Sequence, residues 1–317
     1  MWKTYEIKAK WGKRLNIKAY LKNPFRVFYH FNYTKISHLL SDKSLIKLIF
    51  RARVGYKLDL ENPKTFNEKI QWLKLYNRKP EYTAMVDKYE VKRIISQNIG
   101  EQYTIPTLGV WDDFNSIDFE SLPEQFVLKC THDSGSTIVC KNKRHFNKEN
   151  ARQRINNAQK KSFYLRGREW AYKNVHPRII AEEYIEDKYS DDLPDYKFFC
   201  FSGKPEYIMF CQNRHTKKDL TFDFYDKDWN HMDFVRPPFH RNAKVRAERP
   251  SNFDEMLILA GQLSQGIPFV RVDFYSVNGK VYFGEFTFYP GDGFEPFEPE
   301  IWDRKLGDLI VLPEKKI

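Results

Sequence analysis

The 317-residue chain is long enough for two or three lobes with their own cores, and its 41% hydrophobic and 16% aromatic content excludes a disordered chain. Its four cysteines (Cys130, Cys140, Cys200, Cys211) lack metal-type spacing and are too few for a disulfide scaffold, so a reduced, cytosolic protein is expected. The net charge of +11 comes from one end, where residues 1–57 carry 14 Lys/Arg against only Glu6 and Asp42. That segment is interleaved with aromatic residues such as Trp2, Trp11, Phe25 and Tyr29. Basic plus aromatic suits an anionic membrane surface or an acidic polymer. A basic helical layer packed on the body fits as well, and nucleic acid has no motif behind it. There is neither a signal peptide nor an apolar run long enough to span a bilayer.

Residues 1–57 read as short helices with breaks near Asn23-Pro24 and Gly55. Thr65-Phe66-Asn67-Glu68 is a capping box that opens a helix with Phe66, Ile70, Leu73 and Tyr76 on one stripe, ended by Pro80. A second box, Asp87-Lys88-Tyr89-Glu90, opens a helix that stops near Gly100. It puts Lys88 in the first turn, where the helix dipole disfavours a cation unless a phosphate sits at the same end. Residues 126–129 and 138–140 read as strands around a small polar loop, 131–137, a hairpin flap with Lys129 at its base. Ordinary turns have the same composition. A polar helix near 147–160 follows, then a β-type run at 178–185 leading into Glu186, Asp187, Asp191 and Asp192. Residues 195–201 and 206–211 form strands joined by a turn at 202–205, residues 212–250 carry mixed charges and prolines and include a long loop, and a helix is expected at 252–265. A last helix is expected at 302–309.

Between these helices, residues 269–289 form two β-rich runs joined at Asn278-Gly279. A two-residue turn there pairs Asp273 with Gly284 and throws Asp273 and Glu285 onto opposite faces. A turn closed by Gly279 with a bulge pairs Ser276 with Lys280, Arg271 with Glu285, and Asp273 with Phe283. Arg271, Asp273, Glu285 and Thr287 then share one face, opposite Val270, Val272, Phe274, Tyr282, Phe286 and Phe288. The bulged register separates polar from apolar and is the one expected. Two carboxylates beside an arginine on rigid strands suit Mg²⁺ and the phosphates it bridges. A solvated sheet face with a cross-strand Arg–Glu pair is the plain alternative.

Taken in order, MVDKYEVKRII, FVLKCTHDSGSTIV, RIIAEEYIED, DYKFFCFSGKP and RVDFYSVNGKVYFGEFTFYPGDGF resemble the ATP-grasp superfamily, from about Met85 to Ile310, and more narrowly its TupA-like branch. The resemblance implies an α+β fold, two α/β lobes whose antiparallel sheets clasp ATP. It also implies an N-terminal lobe at 84–185 and a C-terminal lobe at 186–317, preceded by the basic, aromatic-rich helical region expected at 1–83. Carried over by residue, Lys88 and Lys129 hold nucleotide phosphates, and Ser134, Gly135 and Ser136 belong to the flap over them. Glu182, Glu183 and Ile185 form the interlobe linker that reads adenine, and Asp187 or Asp191 takes the ribose. Lys197 is a further phosphate contact, Arg271 stands beside the transferring phosphate, and Asp273 and Glu285 hold Mg²⁺. Thr287 stands where many members carry a metal-binding asparagine.

The activity implied is ATP-dependent ligation of a carboxylate to an amine through an acyl phosphate. The partners would be an acidic surface polysaccharide or its lipid-linked precursor and an amino acid or amine, at the inner membrane face. A glycosyltransferase is the alternative, with Asp226-Lys227-Asp228 as its only acidic pair of suitable spacing, better read as a surface turn. A third reading keeps the ATP cleft unused, and Thr287 is its only support.

Overall fold

The computed structural model describes residues 39–188, 193–212, 220–237 and 243–315. The basic aromatic stretch is therefore largely outside the described residues, as is Asp191. Helix α1 (Asp42–Arg53) starts at Ser41, whose hydroxyl accepts from Ser44 N. Helix α2 (Phe66–Tyr76) opens with the expected capping box, Thr65 Oγ1 accepting from Glu68 N at 3.2 Å and the Glu68 carboxylate from Thr65 N at 3.1 Å. After α3 (Glu81–Val86), α4 (Glu90–Asn98) has only half of its box. Asp87 accepts from Tyr89 N and Glu90 N, but Glu90 turns to Arg178 at 2.9 Å instead of reaching back. Lys88 thus precedes the helix rather than lying in its first turn.

The first sheet takes β1 (Thr107–Trp111), β2 (Phe126–Cys130), β3 (Ile138–Cys140) and β4 (Ile179–Glu183) in the order β1-β4-β2-β3, all antiparallel. Between β3 and β4 lie α5 (Lys148–Gln159) and the short α6 (Phe163–Gly167). Phe114, Phe119, Phe126, Leu128, Ile155 and Ile179 make its small core. Strand β1 has no sequence signal because it is a half-exposed edge with no buried residue.

The second sheet takes β5 (Asp195–Phe201), β6 (Lys204–Gln212), β7 (Thr221–Asp226), β8 (Val270–Val277) and β9 (Lys280–Thr287) in the order β7-β6-β5-β8-β9. Helices α7 (Phe253–Leu263) and α8 (Ile301–Asp308) accompany it. Strand β7 adds an element within 212–250 that was not expected there. It reads as charged because it buries Asp223, which is satisfied by Arg246 at 2.8 Å, His231 at 2.9 Å and Ala243 N at 2.9 Å. The turn before β6 is also shorter than expected, Ser202-Gly203, with Lys204 and Pro205 already paired to β5. Helices α1, α2 and α4 join this sheet's core although they precede the first sheet in sequence. Phe66 stands edge-on to Phe269 at 4.9 Å and to Phe297 at 5.6 Å. Among the described residues no helix is long and apolar enough to cross a membrane.

Candidate active site

The β8–β9 hairpin has neither register considered from sequence. Its turn is the two-residue one, Val277 opposite Lys280, with Asn278 and Gly279 both at positive φ (51° and 78°) as a tight twisted hairpin requires. Four pairs further on the ladder slips at Gly284, so that Asp273 lies opposite Glu285 and Arg271 opposite Thr287. This corrects the expected pairs Ser276–Lys280, Arg271–Glu285 and Asp273–Phe283, and puts Phe283 rather than Tyr282 on the apolar face. The bulge at Gly284 is tight, since a Cβ there would stand 3.1 Å from Asp273 O. One slip restores what the turn would have undone, because a bulge flips the facing of every later residue. Arg271, Asp273, Glu285 and Thr287 do share a face.

That face is a charged network. Arg271 grips both Asp273 oxygens at 2.7 Å and reaches Glu285 Oε1 at 3.1 Å and Thr287 Oγ1 at 2.8 Å. On β5, directly opposite Asp273, Lys197 pairs with Asp273 and, at 2.7 Å, with Asp195. Burial pushes the Asp273 carboxyl up against the pull of Arg271 and Lys197. For Glu285 burial also acts upward, but Lys197, Arg271 and Lys88 prevail and hold it below the ordinary glutamate value.

The first sheet contributes the opposite wall. Lys88, Lys129, Ser134, Gly135 and Thr137 line one cleft with Asp195, Lys197, Asp273, Tyr275 and Glu285. Lys88 Nζ donates to Asp133 O in the flap. Gly135, at φ +119°, lets the flap backbone fold over the cleft. Ser136 does not face it: its hydroxyl accepts from Cys130 N at 2.8 Å and donates to Asp133 Oδ1 at 2.6 Å, holding the flap together. Lys129 pairs with Glu182, which also binds Lys92 at 2.8 Å. Burial alone would raise the Glu182 carboxyl, but Lys129 and Lys92 keep it low. Glu182 thus lies within β4, before the interlobe connection rather than in it. Glu183 is exposed and Ile185 half-buried beside it. Asp187 accepts from Asn278 N at 2.8 Å, and Asn278 Nδ2 donates to Glu186 O at 3.0 Å, so the connection is pinned to the hairpin turn.

Asp195, Lys92 and Tyr275 were not singled out from sequence. Asp195 had a readable signal, since it stands two residues before Lys197 on a strand and so faces the same way. Lys92 had none, because its partner lies 90 residues away. Asp226 is occupied by its own turn, accepting from Asp228 N at 3.0 Å and Asn230 N at 2.8 Å.

The donor set suits a phosphate-bridged Mg²⁺ better than an all-protein cage. Asp273 and Glu285 offer hard oxygens side by side, with Thr287 next to them. Among the described residues no group of three or more His, Cys, Asp or Glu could hold a metal ion on its own.

Solved structures similar to the chain include D-alanine–D-alanine ligase from Helicobacter pylori, at 16% identity over 79% of this chain and 70% of that one, TM-score 0.41. The same enzyme from Bacillus anthracis, complexed with ATP, matches at 15% identity over 72% and 65%, TM-score 0.41. L-amino acid ligase from Bacillus licheniformis matches at 13% identity over 80% of this chain and 57% of that one, TM-score 0.42. A search of curated proteins gave no match. The family model described as TupA-like ATP-grasp matches residues 68–311, most of the chain, and with a cleft walled by two antiparallel sheets the chain belongs to the TupA-like ATP-grasp family.

Proposed function

We propose that the chain joins a carboxylate to an amine at the expense of ATP. The observation that carries this reading is the meeting of Lys88, just ahead of α4, and of Lys129 and the flap from the first sheet with Lys197, Asp273 and Glu285 from the second, in one cleft. The connection at 183–187 would receive the base of ATP, and Lys88, Lys129, Lys197 and Arg271 its phosphates. Asp273 and Glu285, with Thr287 beside them, would hold the Mg²⁺, which would supply Lewis-acid charge neutralisation at the phosphates.

The chain's own cations do the rest. A carboxylate and a γ-phosphate repel each other until Lys88, Lys129, Lys197 and Arg271 offset their charge. The substrate carboxylate oxygen attacks the γ-phosphorus as ADP leaves, giving an acyl phosphate. The amine then attacks the acyl carbon, phosphate departs, and the nitrogen loses its proton to form the amide. The flap, clasped by Ser136 and Lys88, excludes water from the labile intermediate. Among the substrates, a uronic acid of a surface polysaccharide or its lipid-linked precursor fits the basic excess of residues 1–57. The same excess suits peripheral attachment at the inner membrane face.

The test is an ADP-release screen of uronic acids and their oligomers against amino acids, with product masses recorded. ADP release that needs both an acid and an amine, with a product of their summed mass less water, supports the reading. ATP turnover indifferent to every carboxylate contradicts it.

A further inference from the structure

Beside its apolar stripe, helix α2 carries a polar one: Asn67, Gln71 and Lys74, four and three residues apart and so stacked on one face. All three are fully buried. Buried amides and ammonium groups are costly unless partnered, and the partners here are mostly backbone carbonyls of the loop that leaves β9, with the Asp303 carboxylate also accepting from Asn67 Nδ2 at 3.0 Å. Asn67 Nδ2 donates to Glu295 O at 2.9 Å, and Gln71 Nε2 to Asp292 O at 3.0 Å and Gly293 O at 2.6 Å. Lys74 Nζ donates to Asp292 O at 2.6 Å and to Gly167 O, at the end of α6, at 2.7 Å. Its ammonium also stands 4.5 Å from the centre of the Phe294 ring.

The loop needs such holding. Gly291, Asp292 and Gly293 run through three consecutive positive φ values of 60°, 56° and 62°, a conformation unfavourable for an aspartate. Contacts are close on every side. A Cβ at Gly293 would stand 2.5 Å from Gln71 Nε2, and one at Gly167 would stand 2.5 Å from Asp292 Oδ1.

Position gives this tie its meaning. The connection at 186–188 is bonded to the hairpin turn, whereas Arg271 and Thr287 mark the other end, just before the 290–295 loop. On the ligase reading the γ-phosphate would stand at the Arg271 end, beside the loop that follows Thr287, and Lys74, together with the Glu169–Asp292 side-chain contact, ties that loop to the 163–169 segment. We infer, resting on the ligase reading, that Lys74 is a positioning residue for the second substrate: by tying loop 290–295 to the 163–169 segment it fixes the walls between which the carboxylate meets the γ-phosphate.

The test is Lys74→Met in the full chain. It is read by hydrogen exchange, by binding of the non-hydrolysable probe Mg·AMPPNP, and by ADP release with galacturonate oligomers and L-glutamate. Residues 163–169 and 289–295 should exchange faster together, by about tenfold or more, while the Kd for Mg·AMPPNP stays within about threefold. KM for the oligomer should rise about tenfold with KM for ATP little changed, as a misplaced second substrate requires. Gln71→Met leaves Gly167 anchored and should loosen 289–295 alone, and it serves if Lys74→Met does not fold. Unchanged exchange in either loop of the Lys74 variant, or loss of Mg·AMPPNP binding along with it, overturns the assignment. A wild-type chain that does not bind Mg·AMPPNP would sink the ligase reading instead, and the exchange pattern would still judge the tie between the loops.

Discussion

The second sheet is set in a core that draws helices from residue 42 onward, whereas the first rests on α5 and a few phenylalanines, with β1 half-exposed at its edge. The charges proposed to act on ATP divide along much the same line. Arg271, Asp273 and Lys197 stand on central strands of the larger body and are almost fully buried. Lys129 and the flap belong to the lighter wall, and Lys88, just ahead of α4, is bonded to it through Thr131 O and Asp133 O. The proposed roles suit that contrast. A metal and a transferring phosphate need fixed oxygens, while substrate entry needs a wall that opens at low free-energy cost.

The largest effect should come from the rigid side. Asp273→Asn removes a carboxylate from the centre of the network and should lower ADP release by about 10²–10³-fold or more, with circular dichroism unchanged. Full activity in that variant would break the assignment of roles between the two walls. On the lighter side, Glu182→Gln weakens the bridge between Lys129 and Lys92, and should cost about tenfold in Mg·AMPPNP affinity, measured by calorimetry. Hydrogen exchange should separate the walls directly. Amides of β2 and β3 should exchange at least about tenfold faster than those of β5 and β8, and equal protection would erase the contrast.

The smallest effect is a matter of pH. Burial lowers the Lys74 ammonium to about 8 from 10.5, with Asp292 and Glu169 facing it. Between those values the unfolded chain holds a proton that the folded chain has released, so folding stability rises with pH. Wild type should therefore gain on Lys74→Met by on the order of 1 kcal/mol per pH unit between about pH 8 and 10. Chemical denaturation of both across that range checks the sign, and a gap that narrows with pH would contradict it.

Much of the larger body was legible because its strands alternate and its helices announce their caps, as at Thr65 and Glu68. The hairpin shows where that reading stops. Alternation correctly gathered the four polar residues, yet it placed the irregularity at the turn, since sequence does not distinguish a bulge at Gly279 from one at Gly284. Strand β7 was hidden by a buried acid, Asp223, that only a distant Arg246 and His231 make tolerable. The Lys92–Glu182–Lys129 bridge and the Asn67–Gln71–Lys74 stripe were illegible for a shared reason. Their partners lie far along the chain, and a buried polar group looks like a surface one until its partner is known.

Asp273 and Glu285, brought to one face by the slip at Gly284, are proposed to hold a metal ion together with nucleotide phosphates bound by Lys88 and Lys129. Electron paramagnetic resonance of Mn²⁺ titrated into the full chain, with and without AMPPNP, tests it most directly. The account predicts tight Mn²⁺ binding only when AMPPNP is present, lost in Asp273→Asn. Binding that ignores the nucleotide, or survives that substitution unchanged, would contradict it.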